Sequence, residues 1–249
     1  MFDLVISIVT YNSNISELKL LVDHILLEKR IKIKLIIIDN YSKQFYFNEL
    51  TKLDCNVISA GKNQGYGKSN NKVFLISPPH KYFLILNPDI KLENETLFNL
   101  FNFMEKNKAI SMVSPLLKNN GYYYDIRRNN ISFFELISRF LNRKTDYLSK
   151  KDISKFFKNK DHFLVKNISG SFMFIRSEIF NKLNGFNPIF FMYFEDIEFC
   201  DRVNNIGKIA ITNLSESKHV RQRHSYKNIF YLIIHFTSFL KYKFCINRN

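Results

Sequence analysis

The pattern that decides the fold class is Tyr82-Phe83-Leu84-Ile85-Leu86-Asn87-Pro88-Asp89, an apolar run that ends abruptly in polar residues. The run is uninterrupted, as in a strand that is buried on both faces of a sheet. The same arrangement occurs three times earlier in the chain: Leu4–Val9 before Thr10-Tyr11-Asn12, Leu35–Asp39 before Asn40, and Asn56–Ser59 before Gly61-Lys62-Asn63. These repeated runs predict strands of one sheet.

Amphipathic stretches separate the runs. Apolar residues such as Leu18 and Leu21 recur at helical spacing and predict a helix over Ser16–Glu28. Two further helices are predicted at Gly67–Ile76 and Glu93–Lys106. Strands joined by helices predict an α/β fold with a Rossmann-like, mostly parallel central sheet flanked by helices. Ligands of such sheets bind outside the carboxyl ends of the strands, so the polar residues after each run are candidate site residues.

The second half of the chain is less regular. Residues 119–162 are rich in Tyr, Lys, Arg and Asn, with one amphipathic stretch at Phe133–Leu141, and predict an insertion or flexible segment rather than a second domain. The elements predicted after it are an ordered segment at Val165–Ile175, a helix from near Glu195, a strand at Lys208–Thr212 and a basic, aromatic C-terminal helix within 226–249. We therefore expect one domain over residues 1–225, followed by that helix.

Composition and charge fit this plan. The chain has 249 residues, 46% of them hydrophobic, which suits one large domain with a core and excludes intrinsic disorder. The 37 Lys and Arg against 22 Asp and Glu give a formal net charge of +15, which indicates an anionic partner: nucleic acid, a lipid surface or a phosphorylated substrate. Cys55, Cys200 and Cys245 form no Cys-x-x-Cys pair, which argues against a disulfide framework or zinc site and favours a reducing compartment.

Neither end of the chain predicts a membrane span. The first residues lack the basic opening and cleavage site of a signal peptide, so we expect a cytoplasmic protein. The longest apolar stretch, Ile229–Leu240, is interrupted by His235, Thr237 and Ser238 and is shorter than the ~20 residues that cross a bilayer.

Two acidic motifs could carry chemistry, and each has an ordinary alternative. Asp89 follows a strand, where a carboxylate stiffened by Pro88 can hold a divalent cation against a diphosphate. An isolated Asn-Pro-Asp more often caps the next helix. Glu195 and Asp196 follow the aromatic run Phe190–Tyr193, which could restrict water and tune one carboxylate as a general base. The alternative is that both only oppose a helix dipole.

Two polar segments are similarly open to two interpretations. The glycines of Asn63–Asn71 would let a ligand approach the backbone at a helix N-terminus, but the segment matches no phosphate-loop fingerprint, and an ordinary loop explains it equally well. The segment Lys218–Ser225 contains His219 and His224 with three cationic residues. It could ligate a metal and neutralise a diphosphate, or it could be a solvated basic turn.

Taken together and in order, these motifs resemble the inverting family 2 glycosyltransferases of the GT-A fold, in particular the rhamnosyltransferase-like branch that builds bacterial surface polysaccharides such as O-antigen or capsule. The resemblance covers about residues 3–225 and depends on the colinear order of the motifs. The matching motifs are Val9-Thr10-Tyr11-Asn12, Ile38-Asp39-Asn40 with Ser42, Asn63-Gln64-Gly65-Tyr66-Gly67 with Asn70-Asn71, Leu86-Asn87-Pro88-Asp89, Ser169-Gly170-Ser171-Phe172-Met173 with Ile175-Arg176, Gly185-Phe186-Asn187, and Phe191-Met192-Tyr193-Phe194-Glu195-Asp196 with Cys200 and Arg202.

The resemblance implies a role for each matching residue. Asp196 would be the catalytic base, with Glu195 supporting it. Asp89 would be the metal carboxylate, with His219 or His224 as a further contact to metal or diphosphate. The residues that would bind the nucleotide sugar are Thr10, Tyr11, Asn12, Asp39, Asn63, Gly65, Asn70, Asn87 and Gly170.

The implied reaction is a single displacement that inverts the anomeric carbon. Asp196 would take the proton of an acceptor hydroxyl, and Mg²⁺ or Mn²⁺ on Asp89 would stabilise the leaving diphosphate. The resemblance also implies a nucleotide-sugar donor, with dTDP-rhamnose favoured, and a lipid-diphosphate-linked glycan acceptor at the cytoplasmic face of the cell membrane. An anionic membrane surface would attract the cations around the C-terminal apolar stretch and in the insertion: Lys227, Lys241, Lys243, Arg248, Arg127, Arg128, Arg139 and Arg143.

Three other classes of protein compete with this interpretation. A nucleotidyltransferase would share the sheet and the metal carboxylate, but it would carry a Gly-rich basic loop directly after the first strand, which this sequence lacks. A nucleic-acid-binding module would explain the charge but not the polar residues at successive strand ends, so we expect no nucleic-acid partner. A non-enzymatic, membrane-associated protein is compatible with the C-terminal segment alone.

Overall fold

The computed structural model describes residues 1–119, 121–123, 148–157, 160–219 and 229–246. The strands are β1 (Phe2–Thr10), β2 (Ile33–Asp39), β3 (Asn56–Ser59), β4 (His80–Leu86), β5 (Ile90–Leu92), β6 (Ile110–Asn119), β7 (Tyr122–Tyr123), β8 (His162–Val165), β9 (Phe172–Arg176) and β10 (Lys208–His219). The helices are α1 (Ile15–Leu27), α2 (Gln44–Leu50), α3 (Tyr66–Ile76), α4 (Thr96–Lys106), α5 (Lys150–Phe157), α6 (Ser177–Lys182), α7 (Glu195–Asn204) and α8 (Ile229–Ile246).

All of these strands belong to one sheet. Its order is β3-β2-β1-β4-β9-β6-β10-β5, with β7 paired to β6 and β8 paired to β10. Strands β1 to β4 run parallel, and β10 runs parallel to β6. Strand β9 is antiparallel to both of its neighbours, β4 and β6. The carboxyl ends of β1 to β4, β6 and β10 therefore lie along the same edge.

Helices cover both faces of the sheet. Along β1, alternate side chains enter two different clusters, because successive residues of a strand point to opposite faces. Leu4, Ile6 and Ile8 pack with residues of α1 and α4. Val5 and Val9 pack with residues of α3, α6 and α7. The continuous apolar runs of the sequence thus correspond to strands buried on both sides.

The predicted α/β fold with a mostly parallel central sheet is confirmed. Strand β3 has its predicted bounds, and the bounds of the other strands and helices predicted before residue 90 differ from the prediction by at most two residues. The helix predicted from Glu93 begins at Thr96, since Ile90–Leu92 pairs with the end of β10 as a strand.

Besides β5, two elements before residue 120 were not predicted. Helix α2 has a single buried residue, Leu50, so no apolar periodicity marks it. Strand β6 contains Ser111, Ser114 and Pro115, which interrupt the apolar run although the strand is buried.

The flanks of the predicted insertion are integrated into the domain. Tyr123 bridges to Leu148, and Ile153 and Phe157 of α5 pack in the same cluster as α3 and α7. The amphipathic stretch predicted at Phe133–Leu141 lies outside the described residues, as do the four arginines of the insertion.

The predicted C-terminal helix is present as α8, and it packs on α7 and on the segment before α7. Phe239 and Tyr242 form a cluster with Phe190, Phe194 and Ile197. No helix in the described part of the chain is both long and apolar enough to span a bilayer.

Candidate active site at the carboxyl edge of the sheet

The first two strands end side by side in polar residues. Thr10 and Asp39 are register partners at the ends of β1 and β2, and both are buried. Thr10 Oγ1 lies 2.6 Å from the Tyr46 hydroxyl, and Asp39 Oδ2 accepts a hydrogen bond from the Ser42 N–H at 3.0 Å. Asp39 Oδ1 is buried and has no hydrogen-bond partner among the described residues. That oxygen can accept a hydrogen bond from a ligand.

The loop after β1 forms the rim of this site. Asn12 adopts a left-handed conformation with φ 48°. Its N–H donates to Ser42 Oγ at 2.8 Å, and its Oδ1 accepts from the Lys43 N–H at 3.2 Å. These bonds tie together the loops after β1 and β2. Tyr11 is left 51% exposed on the rim, where its ring can stack on a flat ligand.

The loop before α3 is organised by Asn40, whose side chain is buried. Asn40 Oδ1 accepts from the Gln64 N–H at 3.0 Å and from Ser69 Oγ at 3.1 Å, while its Nδ2 donates to Asn63 Oδ1 at 2.9 Å. Asn63 Oδ1 also accepts from the Gly65 N–H at 3.2 Å. This network holds the exposed Asn63 at the same edge as Asp39.

Gly65 brings this loop against the segment that precedes α7. Its φ is 89°, and a Cβ at this position would lie 2.1 Å from the carbonyl oxygen of Phe191. The same carbonyl accepts a hydrogen bond from the Tyr66 N–H at 3.0 Å. Only glycine satisfies both the conformation and the contact.

The Tyr66 hydroxyl lies between two further loops. It is 2.8 Å from the carbonyl oxygen of Gly170 and 2.9 Å from Asn87 Oδ1. Desolvation is the main cause that raises the pKa of this phenol well above its usual value. The negative charges of three nearby carboxylates raise it further, namely Glu195, Asp196 and Asp89. The phenol therefore remains a hydrogen-bond donor, and the structure brings the three acids predicted from the sequence around it.

Asp196 is fixed by backbone donors. Its Oδ2 accepts from the Gly170 N–H at 2.9 Å, and its Oδ1 accepts from the Ile197 N–H at 2.9 Å. A Cβ at position 170 would lie 3.1 Å from Asp196 Cβ, which is tighter than an ordinary contact. Gly170 thus permits the close approach that orients the carboxylate.

The turn before α7 is strained. Tyr193 and Phe194 both have positive φ, at 68° and 67°, which aromatic residues rarely adopt. Such conformations cost about 1–3 kcal/mol each and persist where surrounding contacts hold them. The Phe194 ring contacts Phe239 and Tyr242 of α8, with centroid distances of 5.7 and 5.4 Å. Helix α8 therefore covers the turn that sets the positions of Glu195 and Asp196.

Glu195 occupies an apolar environment. It is 6% exposed, and its Oε2 has no hydrogen-bond partner among the described residues. Burial, together with the neighbouring charge of Asp196, raises the pKa of Glu195 to about 8. At neutral pH the free protein keeps this carboxyl group largely protonated.

Asp89 and His219 form a pair at the far end of β4. Asp89 Oδ1 lies 3.1 Å from His219 Nε2, and both side chains are largely buried. The carboxylate oxygen suits Mg²⁺ or Mn²⁺, and the imidazole nitrogen, a ligand typical of transition metals, favours Mn²⁺ of the two. In the described part of the chain no cluster of three or more His, Cys, Asp or Glu residues could hold a metal ion. The residues therefore fit a cation that takes its other ligands from a substrate or water.

Two other residues predicted from the sequence, Asn70 and His224, do not present side chains to this site in the described structure. Asn70 is fully buried, its Oδ1 accepting from Ser7 Oγ at 2.7 Å and its Nδ2 donating to the Tyr66 carbonyl at 3.1 Å. It can shape the site through α3 but presents no polar atom to a ligand. His224 lies outside the described residues.

Sequence reasoning assigned no role to two residues that organise the site, Tyr66 and Asn40. Both lie inside motifs that the sequence analysis singled out. The only local signal is their position after a strand or a glycine, which does not reveal that Tyr66 contacts a residue 104 positions away.

Comparison with known proteins gives a family and a fold. The family model "Glycosyl transferase family 2" matches residues 5–183. The chain is 26% identical over 196 residues to the low-salt glycan biosynthesis hexosyltransferase Agl10 of Haloferax volcanii, covering 75% of this chain and 60% of that protein. It is 28% identical over 157 residues to the rhamnosyltransferase WbbL of Escherichia coli K12, covering 59% of this chain and 57% of that protein. The chain thus spans less than two thirds of the length of these relatives.

Solved structures with the same fold include two glycosyltransferases. A crystal structure of GalNAc-T7 with UDP, GalNAc and Mn²⁺ has a TM-score of 0.66 at 15% identity, over 90% of this chain and 44% of that one. Residues 1–349 of Staphylococcus aureus TarS have a TM-score of 0.58 at 16% identity, over 87% of this chain and 60% of that one. The fold is the GT-A fold. Glu195, Asp196 and His219 lie beyond the end of the family match at residue 183.

Proposed function

Because the chain belongs to glycosyl transferase family 2, we propose that it moves a sugar from a nucleoside-diphosphate sugar to a hydroxyl of a glycan acceptor, with inversion at the anomeric carbon. The observation that carries this proposal is the fixed position of Asp196. Two backbone N–H groups orient its carboxylate, and the loop of Gly170 that supplies one of them is joined through Tyr66 to Asn87 beside Asp89.

Asp196 accepts the proton in the proposed reaction. The acceptor oxygen forms a bond to the anomeric carbon as the bond from that carbon to the diphosphate oxygen breaks. The proton of the acceptor hydroxyl moves to Asp196, and the electron pair of the broken bond leaves on the diphosphate. A single displacement of this kind needs no covalent enzyme intermediate.

Asp89 and His219 would hold Mg²⁺ or Mn²⁺. The bound ion would supply Lewis-acid stabilisation of the negative charge on the departing diphosphate. The nucleoside half of the donor would lie along β1 to β3, with Tyr11 stacked on the base and Asp39 Oδ1 accepting a hydrogen bond from it. Asn63 would line the same pocket, whose wall includes Gly65.

The donor sugar and the acceptor are part of the proposal. A relative named as a rhamnosyltransferase and one named as a hexosyltransferase support a hexose or deoxyhexose donor, with dTDP-rhamnose favoured. The acceptor would be a growing surface polysaccharide, such as O-antigen or capsule, on a lipid diphosphate at the cytoplasmic face of the membrane. The exposed apolar residues of α8, with Lys241 and Lys243 on the same helix, would face that surface.

The test is a donor screen followed by substitution of the base. A panel of nucleotide sugars with Mn²⁺ is first ranked by thermal stabilisation of the protein and by mass detection of product. With the best donor, Asp196→Asn should lower kcat by ~10²–10⁴ while the nucleotide still binds, because the amide keeps the shape but cannot accept the proton. Asp23→Asn, an exposed change on α1, is the matched control. Near-normal turnover of a folded Asp196→Asn variant would refute the assignment.

A further inference from the structure

A cavity of about 570 Å³ opens at the far end of the carboxyl edge, beyond Asp89. Its lining combines the ends of β5, β6 and β10 with the flanks of the insertion. It consists of Lys91, Lys118, Asn119, Gly121, Tyr123, Lys150, Glu216, Lys218 and His219. Four of these nine side chains are lysines, whereas only one is acidic.

Three of the lysines form a row across adjacent strands. Lys218 on β10 is the register partner of Lys91 on β5 and of Lys118 on β6. Register partners project from the same face of a sheet. Like charges directly opposite one another destabilise strand pairing. The repulsion between Lys91 and Lys218 is therefore a cost to the fold that an anionic ligand would relieve, whereas the charge of Lys118 is offset by Glu93 and Glu216.

The acidic groups nearby are already engaged. Lys118 bridges Glu93 and Glu216, and the Tyr123 hydroxyl donates to Glu216 at 2.7 Å. Lys91, Lys150 and Lys218 make no ion pair with any described residue. The cavity thus keeps a positive surplus on the exposed Lys91 and Lys218, whereas Lys150 interacts electrostatically with Glu216.

The position of the cavity separates it from the nucleoside side of the site. In the sheet order, Thr10 and Asp39 lie on strands toward one end, and the cavity lies on β6, β10 and β5 at the other. Asp89 pairs with His219, and His219 lines the cavity, so this pair borders the cavity. An anion in the cavity therefore lies beyond the diphosphate of a donor that extends from Asp39 to Asp89.

We propose that this lysine cavity binds a phosphate or diphosphate group of the acceptor. The assignment of the anion to the acceptor rests on the proposed function, whereas the anion site itself follows from the lysine row. Binding the acceptor through its anionic end would place its sugar hydroxyl toward Asp196 on the near side of His219. The diphosphate of the donor is the alternative ligand of the lysines, and the experiment distinguishes it from a phosphate group of the acceptor.

The probe is inorganic pyrophosphate, titrated by calorimetry into the full chain in excess chelator. Without a divalent cation the acidic side chains around Tyr66 disfavour an anion, so the lysines should dominate binding. The variant Lys91→Ala/Lys218→Ala should bind pyrophosphate at least about tenfold more weakly, because two charge-assisted contacts are lost. Lys19→Ala/Lys182→Ala removes the same charge from exposed positions on α1 and α6 and should bind like the parent protein. The melting temperature of the Lys91/Lys218 variant should not fall, since the substitutions relieve repulsion.

Thermal stabilisation by nucleoside diphosphates with Mn²⁺ distinguishes the sources. Retained nucleotide stabilisation with lost pyrophosphate binding supports the acceptor assignment. If the variant loses nucleotide stabilisation and pyrophosphate binding equally, the lysines bind the donor, and the acceptor assignment is overturned. Pyrophosphate binding that is unchanged in the variant, or absent from the parent protein, would overturn the anion site. No response to any nucleotide or nucleotide sugar would instead count against the proposed function and leave the pyrophosphate result standing.

Discussion

At the scale of single residues, two adjacent carboxyl groups begin the same helix in different surroundings. Asp196 is partly exposed and receives two backbone hydrogen bonds, so it is oriented for proton acceptance. Glu195 is buried, and one of its oxygens lacks a partner among the described residues. Burial disfavours the charged form of a carboxyl group. In the proposed reaction, Asp196 is the base and Glu195 is the buried acid beside it.

The raised pKa of Glu195 predicts how stability depends on pH. Because the folded-state pKa is about 8 against an ordinary 4.5, the contribution of Glu195 is fully present below about pH 4.5 and is lost as pH rises through 8. In chelator, Glu195→Gln should therefore gain stability over the parent protein between pH 5 and 8, by a few kcal/mol, and the difference should level off above that. Urea unfolding across the pH range measures it.

The control for this prediction is Glu178→Gln, an exposed change at the start of α6. Its difference from the parent protein should stay near zero at every pH. A Glu195→Gln difference that is flat across the same range would contradict the burial argument.

Tyr66 offers a second test at this scale, as a positioning residue. Tyr66→Phe removes the hydroxyl that joins the Gly170 and Asn87 loops, which should cost about 1–2 kcal/mol of stability and lower kcat about tenfold. The KM for the donor should change less, since Tyr66 acts through the loop that holds Asp196. Tyr41→Phe, at an exposed hydroxyl, should leave kcat unchanged. Equal effects of the two variants on kcat would reject the positioning role.

At the scale of elements, α8 acts as a clamp on the turn before α7. Ser238 Oγ donates to the Met192 carbonyl at 2.7 Å, and the buried Tyr242 hydroxyl donates to Asp201 Oδ2 at 2.7 Å. The His235 ring contacts the Tyr193 ring in a tilted arrangement, with centroids 4.8 Å apart. These contacts hold a backbone conformation that aromatic residues rarely adopt, so the helix stabilises the turn that leads to Asp196.

A buried and a half-exposed phenylalanine of α8 test the clamp. Phe239→Ala should cost about 3 kcal/mol and lower kcat, because Phe239 is buried against Phe194. Phe236 lies on the same helix but is 50% exposed, so Phe236→Ala should change stability by less than ~0.5 kcal/mol. Chemical denaturation and steady-state kinetics measure both. A Phe239→Ala variant with full activity would show that the turn holds without the helix.

At the scale of the whole molecule, the charge of +15 and the outward side of α8 bear on where the protein works. Leu232, Ile233, Phe236, Leu240 and Phe244 are all at least partly exposed on this helix. An apolar surface near cations suits the interface of an anionic membrane. The basic residues of the insertion and of the last residues of the chain remain a sequence-based part of this hypothesis.

Cosedimentation with vesicles tests the membrane hypothesis. The protein should bind anionic vesicles more strongly than neutral ones, and binding should weaken as salt is raised. Ile233→Ser/Phe236→Ser should reduce it, whereas Leu20→Ser/Leu75→Ser, at exposed leucines of α1 and α3, should not. Salt-insensitive binding to both vesicle types, or no binding to either, would exclude this attachment.

The sequence was informative where one residue pattern implies one structure. Continuous apolar runs predicted β1, β2 and β4, because a strand buried on both faces needs them, and the polar residues at the ends of the runs identified Asp39 and Asp89. Strand β6 was not predicted because serines interrupt its apolar run. Helix α2 was not predicted because Leu50 is its only buried residue. The partners of the candidate base could not be predicted, because Tyr66 and Gly170 meet only through the fold.

The contact of Gly65 with Phe191 also limits how this domain can be recombined with its relatives. Any chimera that imports a nucleotide-side loop with a Cβ at position 65 would push against the backbone that leads to Asp196. Residues 61–71 and 185–196 therefore have to be compatible with each other, although more than a hundred positions separate them in the chain. Grafting a new donor specificity onto this scaffold requires exchanging both segments at once.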